Sequence, residues 1–270
     1  MQGRMSPAVD GRIQVFPWLS WQSEFALADE HGFRLMEWTL DHDRLYENPL
    51  LTRRGRREIR ECMSRHNVAI PSLTGDCFMH APFWKADAAE RAALEHDFMA
   101  VAMACGEIGI GIMVVPLVDN GRLETPAQEV ALVAFLESVH DRLRELGLRV
   151  VFESDFAPNE LSRFITQLDD DTFGINYDTG NSAALGFDSV REISAYGHRI
   201  VNTHVKDRKL GGTTVPLGSG AANFPAVFAA LAAAGYQGNY ILQTARALDD
   251  DHAGVLRRYR DMTTEWLKAA

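Results

Sequence analysis

Short apolar runs of strand length alternate with longer stretches of helical character along the whole chain. The runs read FRLMEWTL, VAIPSLT, IGIMVVPL, LRVVFES, TFGINYD, RIVNTHVKD and NYILQTA, and a further strand is expected at residues 2–5. Between them, helices are expected at residues 21–32, 53–66, 88–106, 126–147, 158–168, 188–196, 224–234 and 251–268. Local signals agree with these limits. Ser20 stands where an N-cap is wanted, Thr125 precedes a proline suited to the first helical position, and Gly32, Gly147 and Gly235 supply stops.

Strands that are apolar throughout, each followed by a helix, imply a parallel sheet covered on its outer face. Eight strands and eight helices with no linker or break in composition suit a closed (β/α)8 TIM barrel, an α/β fold, as a single domain over residues 1–270. An open doubly wound sheet is the alternative, but no Gly-rich phosphate fingerprint follows the first strand. The pair Gly211–Gly212 falls in a loop after the seventh strand and reads as a flexible turn.

Composition narrows the partners. The chain is 46% hydrophobic and 24% charged with a formal net charge of −10, an acidic balance that argues against nucleic acid as a partner. No long apolar segment suggests a membrane span, and the opening MQGRMSPAVDGR lacks the apolar centre of a secretion signal. Cys62, Cys77 and Cys105 show no paired spacing and read as free thiols. A cytoplasmic protein is the expectation.

In a barrel the strands' C-terminal ends share one mouth, so the polar residues there are the candidates for chemistry. The second strand ends near Glu37 and Trp38, the third leads to Asp76 and His80, and the fifth ends at Glu153. The sixth ends at Asp178, the seventh carries His204, Lys206 and Asp207, and the eighth yields Gln243 and Arg246. Glu153, Asp178, His204 and Gln243 come from four consecutive strands at matching depth. Two carboxylates, an imidazole and an amide oxygen suit a hard to borderline divalent cation. Each has a plainer reading: a strand-end carboxylate caps a helix or pairs with lysine, Asp178 before TGN makes a turn, and a strand histidine is hydrogen-bonded in the core. Four at equivalent positions favour the metal.

The motifs FES, NYDTGN, THVKDR, VPLGSG and GYQGNYILQTAR, with QGRMS at the start and GFRLMEW after the first helix, resemble the sugar phosphate isomerase/epimerase proteins of the xylose isomerase-like TIM-barrel superfamily. That superfamily also holds hydroxypyruvate isomerase, ketose 3-epimerases and endonuclease IV. The resemblance implies one divalent ion (Mn2+, Mg2+, Co2+ or Zn2+) held by Glu153, Asp178, His204 and the residue at Gln243, a small sugar-like substrate, and assembly as a homodimer or homotetramer. One departure matters. In ketose 3-epimerases the last ligand is usually a glutamate that serves as the second of two acid–base groups, and an amide takes up no proton near neutral pH. Glu153 is then the carboxylate base, and one-base isomerisation through an enediol becomes easier to support than two-base epimerisation. A second acid is sought among Glu37, His80 and Lys206.

Further roles follow from position. Lys206 suits a developing oxyanion or an anionic substrate group, with Asp207 fixing the lysine; Arg208 and Arg246 suit phosphate or carboxylate, or surface ion pairs. Glu37 suits a proton donor or hydroxyl acceptor, and Trp18, Phe78, Phe83 and Trp84 an apolar wall beneath the sugar. Two rival classes stand beside the isomerase: a metal phosphoesterase of endonuclease IV type, for which His42, His80 and His204 are the only histidines near strand ends, and a barrel that has lost catalysis. A dehydratase or lyase shares the opening enolate chemistry.

Overall fold

The computed structural model describes every residue except Gly3, Asp10 and Ile13. Seven strands form one sheet, in which each pairs parallel with the next: β1 (Leu35–Thr39), β2 (Ala69–Thr74), β3 (Ile112–Leu117), β4 (Arg149–Ser154), β5 (Phe173–Asp178), β6 (Ile200–Val205) and β7 (Asn239–Leu242). The gap between β7 and β1 is bridged by the start of the chain. Gln2 N donates to Leu242 O at 3.1 Å and Glu37 N to Met1 O at 2.8 Å, so the first two residues lie between the first and last strands of a nearly closed barrel. The strand expected at residues 2–5 includes Gly3, which lies outside the described residues.

Ten α-helices surround the sheet among the described residues: α1 (Trp21–Glu30), α2 (Arg53–His66), α3 (Asp76–His80), α4 (Ala88–Ile108), α5 (Pro126–Glu145), α6 (Pro158–Ile165), α7 (Thr179–Leu185), α8 (Ser189–Tyr196), α9 (Phe224–Ala233) and α10 (His252–Ala269). Eight match the expected helices. The others, α3 and α7, are single turns or little more, too short for a periodic apolar face to reveal. The start of α5 is a full capping box, Thr125 with Gln128 behind Pro126. Ser20 precedes α1 as expected but its side chain makes no capping bond. No helix among the described residues is long and apolar enough to cross a membrane, and all three cysteines are free.

The aromatic wall expected at the mouth is core instead. Phe78, Phe83 and Trp84 are all at most 4% exposed. Phe83 packs on Phe135 with ring centroids 4.6 Å apart, and Trp84 Nε1 donates to Gly121 O. Rings of this size release more free energy under α4 and α5 than at an open mouth, and the indole needs only one acceptor to be buried.

Candidate metal centre at the barrel mouth

Strand pairing sets the depth of each side chain. Asp178 on β5 stands level with His204 on β6, and two residues earlier Asn176 stands level with Asn202. Alternation along a strand puts residues two apart on the same face, so two polar layers point inward, one beneath the other. The upper layer is the candidate site. One ligand atom each from Glu153, Asp178 and His204 lies within 4.8 Å of the others.

Each member is held by specific partners. Asp178 caps α7, with Oδ1 accepting from the amides of Gly180 and Asn181, both at 2.8 Å; this leaves Oδ2 turned toward the group, 3.9 Å from His204 Nδ1. The plain reading of Asp178 as a helix cap thus holds for one oxygen, and the other is left facing the group. Glu153 Oε1 accepts from Asn181 Nδ2 at 2.6 Å and Oε2 from Asn176 Nδ2 at 2.8 Å, with His204 Nδ1 3.0 Å from Oε2. Asn176, Asn181 and Asn202 were not singled out from sequence. For Asn176 and Asn202 the signal is a polar residue two positions before Asp178 and His204 in otherwise apolar strands; Asn181, in the first turn of α7, has no such mark.

Glu37 lies one layer down. The strand that carries it continues to Thr39, which leaves Glu37 1% exposed beneath His204 rather than at the rim. Its Oε1 accepts from Thr74 at 2.6 Å and Gln2 at 3.4 Å, and Oε2 from Ser72 at 2.7 Å and Asn202 at 3.3 Å. His204 Nε2 sits 2.8 Å from Glu37 Oε1, though too poorly aligned for a good hydrogen bond. Burial opposes charge on both groups, but their mutual attraction outweighs it, lowering the Glu37 pKa and raising that of His204. A buried carboxylate behind one ring nitrogen, leaving the other aimed at two carboxylates, is how a metal-ligating histidine is oriented.

Lys206 reaches across the group. Its Nζ donates to Gln243 Oε1 at 2.7 Å and lies 3.4 Å from Asp178 Oδ2. Gln243, 2% exposed, thus faces the site with its amide oxygen engaged by a cation. The donor set fits a divalent ion: two anionic oxygens and an imidazole converge, the imidazole is braced from behind, and Gln243 stands at the edge.

Above the group a cavity of about 680 Å3 opens, lined by Glu153, Lys206, Gln243, Arg208, His80 and Asp76, among others. Arg208 donates to Gly212 O at 3.0 Å and to Asn181 Oδ1 at 2.9 Å. His80 is exposed at the rim, at the end of α3. Arg246 and Trp18, expected to meet the substrate, lie away from the cavity lining. Arg246 is half-buried, donates to Ser6 O at 2.7 Å and borders a small separate space with Gln2, Arg4 and Glu37. Trp18 packs edge-on against Phe16, with the Arg44 guanidinium 4.0 Å over its ring. Asp207 does not fix Lys206: its oxygens accept from the amides of Gly218, Gly220 and Ala222 and fold that loop back on the barrel.

Residues 25–263 match the family model described as xylose isomerase-like TIM barrel. An L-ribulose-5-phosphate 3-epimerase of Salmonella paratyphi C is 26% identical over 260 residues, 92% of this chain and 89% of that protein. An inosose dehydratase of Geobacillus thermodenitrificans is 25% identical over 217 residues, 68% of this chain and 72% of that protein. Among solved structures, D-psicose 3-epimerase of Clostridium cellulolyticum with D-tagatose superposes with a TM-score of 0.74 at 12% identity, covering 92% of this chain and 93% of that one. A Mycobacterium smegmatis xylose isomerase-like TIM barrel protein in complex with magnesium superposes at 0.70 and 17% identity, over 96% and 92%. At these identities the structural likeness speaks to the fold. The relatives and neighbours include sugar epimerases, and with a family model spanning nearly all of its barrel, this chain belongs to the xylose isomerase-like TIM barrel family.

Proposed function

We propose that the chain is a divalent-metal-dependent isomerase or epimerase that acts on a small sugar, sugar phosphate or hydroxy-keto acid through an enediolate. The observation that carries this reading is the convergence of Glu153, Asp178 and His204 beneath an open cavity. These three hold the ion, with Gln243 completing the set once Lys206 turns from it to the substrate. Held there, a divalent ion would supply polarisation of a substrate carbonyl and positive charge against the anion formed on proton removal. Glu153 takes the proton from the carbon beside that carbonyl. Asn176 and Asn181 keep its carboxylate fixed for that transfer. Lys206 gives the substrate's oxygens a positive charge beside the base, and Arg208, a residue of the cavity lining, receives an anionic end group. Glu37 acts through His204 and does not meet the substrate.

The relatives' names support this class: one is an L-ribulose-5-phosphate 3-epimerase, and the inosose dehydratase keeps a dehydratase as the second reading. The expected setting is the cytoplasm. The test starts with metal content by elemental mass spectrometry on protein dialysed against Mn2+, Mg2+, Co2+ and Zn2+. One ion per chain, lost in His204→Ala, is expected. The loaded protein is then incubated in D2O with D-fructose, D-tagatose and L-ribulose 5-phosphate, and deuterium uptake beside the carbonyl is read by NMR. Two or three ions per chain point instead to the phosphoesterase, and an ion-free protein without exchange sinks the proposal. Gain of turnover only in Gln243→Glu marks a barrel that has lost its chemistry.

A further inference from the structure

Resting on the isomerase or epimerase reading, we propose that Asp76 is the second proton-transfer group of this site, facing the substrate from the β2 wall while Glu153 faces it from β4. Gln243 takes no proton, Glu37 is sealed beneath His204, and Lys206 serves as the positive charge on the substrate's oxygens. Asp76 is differently placed. It is only 8% exposed, yet it lines the same cavity as Glu153, Lys206 and Gln243.

Its hydrogen bonds hold it without using it up. Oδ2 accepts from Gln14 Nε2 at 2.5 Å, and among the described residues no donor reaches Oδ1. Gln14 Oε1 accepts from the buried Arg4 at 2.7 Å, and Arg4 also donates to Thr244 O, next to Gln243, at 2.7 Å. The carboxyl is thus tied through two side chains to the segment after β7 that carries Gln243, with one oxygen left for a substrate. Glu37, by contrast, has two donors on each oxygen. Burial first, then the like charges of Asp41 and Glu153, outweigh the Gln14 bond and Arg4 and lift its pKa to about 7. Acid and base forms are then both present near neutral pH, which suits a group that must give and take protons.

The step balances. Glu153 as carboxylate removes the proton from the carbon next to the carbonyl, and the C–H electron pair moves into the enediolate. Asp76 in its acid form delivers its proton to the same carbon on the other face, where the returning pair makes the new C–H bond and the carbonyl reforms. Glu153 ends protonated and Asp76 ionised, and exchange with water in the open cavity resets both.

The test uses the metal-loaded full chain in D2O with the fastest-exchanging ketose of the panel above, and reads deuterium wash-in and epimer formation separately. Asp76→Asn, which can still accept from Gln14, is expected to lose epimer formation by at least about 100-fold while wash-in through Glu153 stays within about threefold. Asp76→Ala with added formate is expected to recover epimer, which a merely structural role does not allow. Epimer formation retained in Asp76→Asn overturns the proposal. So does loss of wash-in and epimer in equal measure at unchanged metal content, because Asp76 then only seats the substrate. A wild type that exchanges but forms only an aldose also overturns it, leaving the proposed function standing; a wild type without exchange removes both.

Discussion

Replacing Glu37 with glutamine separates a residue that acts through His204 from one that meets the substrate. In the wild type, Glu37 is 1% exposed and takes four side-chain donors besides its 2.8 Å contact with His204 Nε2. A glutamine oxygen can still face Thr74, Gln2 and His204. Its NH2 must then face Ser72, which can turn to accept, and Asn202 Nδ2, which cannot. The change therefore loses about one buried hydrogen bond, ~1–3 kcal/mol of stability, and replaces a charged brace behind the imidazole by a neutral one. Losing such a brace weakens metal binding by about 10- to 100-fold, ~1.4–2.7 kcal/mol. Isothermal titration of Mn2+ into apo protein measures this directly, and turnover at saturating Mn2+ is expected to return near the wild-type value. A variant that binds Mn2+ as tightly as wild type refutes the bracing role. Turnover lost by more than about 100-fold at saturating metal refutes the claim that Glu37 does not exchange protons with substrate.

Other outcomes follow from the same geometry. Asp178→Asn should weaken Mn2+ binding more than Glu37→Gln does, yet cost the apo protein only ~1 kcal/mol of stability in urea, the loss of the Lys206 contact, since asparagine caps α7 as well as aspartate. Gly55→Ala in α2 should destabilise by ~1–3 kcal/mol in urea despite alanine's better helix propensity, because the added Cβ falls 2.2 Å from Pro49 O. Asp76 has a folded pKa of about 7 against an ordinary 3.8, so between those values the folded chain binds more protons than the unfolded one. Its contribution to stability is therefore present below about pH 4 and lost as the pH rises to about 7. Asp76→Asn should accordingly be more stable than wild type at pH 8 by ~1–3 kcal/mol, the open side of the cavity holding the gain down, and no more stable at pH 3.5; an equal difference at both pH values would contradict the burial argument.

Much of the molecule is legible without coordinates. Apolar runs of strand length bounded by caps and glycines locate each described strand, and the alternation of strand and helix limits the topology to a parallel sheet under helices, a barrel or an open doubly wound sheet, of which the missing Gly-rich fingerprint favours the barrel. Glu153, Asp178, His204 and Gln243 stand out because a polar residue ending an apolar run is costly unless something there uses it. Height within the barrel is not written in that pattern. Period-two alternation says which residues point inward, but the stagger of neighbouring strands decides which layer each joins, and that depends on pairing across the whole sheet. So Glu37 lies buried beneath His204 rather than at the rim. Loops carry still less periodic signal, and contacts distant in sequence decide them: Phe78, Phe83 and Trp84 turn into the core, Trp18 turns to Arg44, and Asp76 is tied through Gln14 and Arg4 to Thr244. The local code determined the strands, the helices and the residue types at the strand ends; only closure of the barrel, joining Met1 and Gln2 to β1 and β7, decided which of them meet.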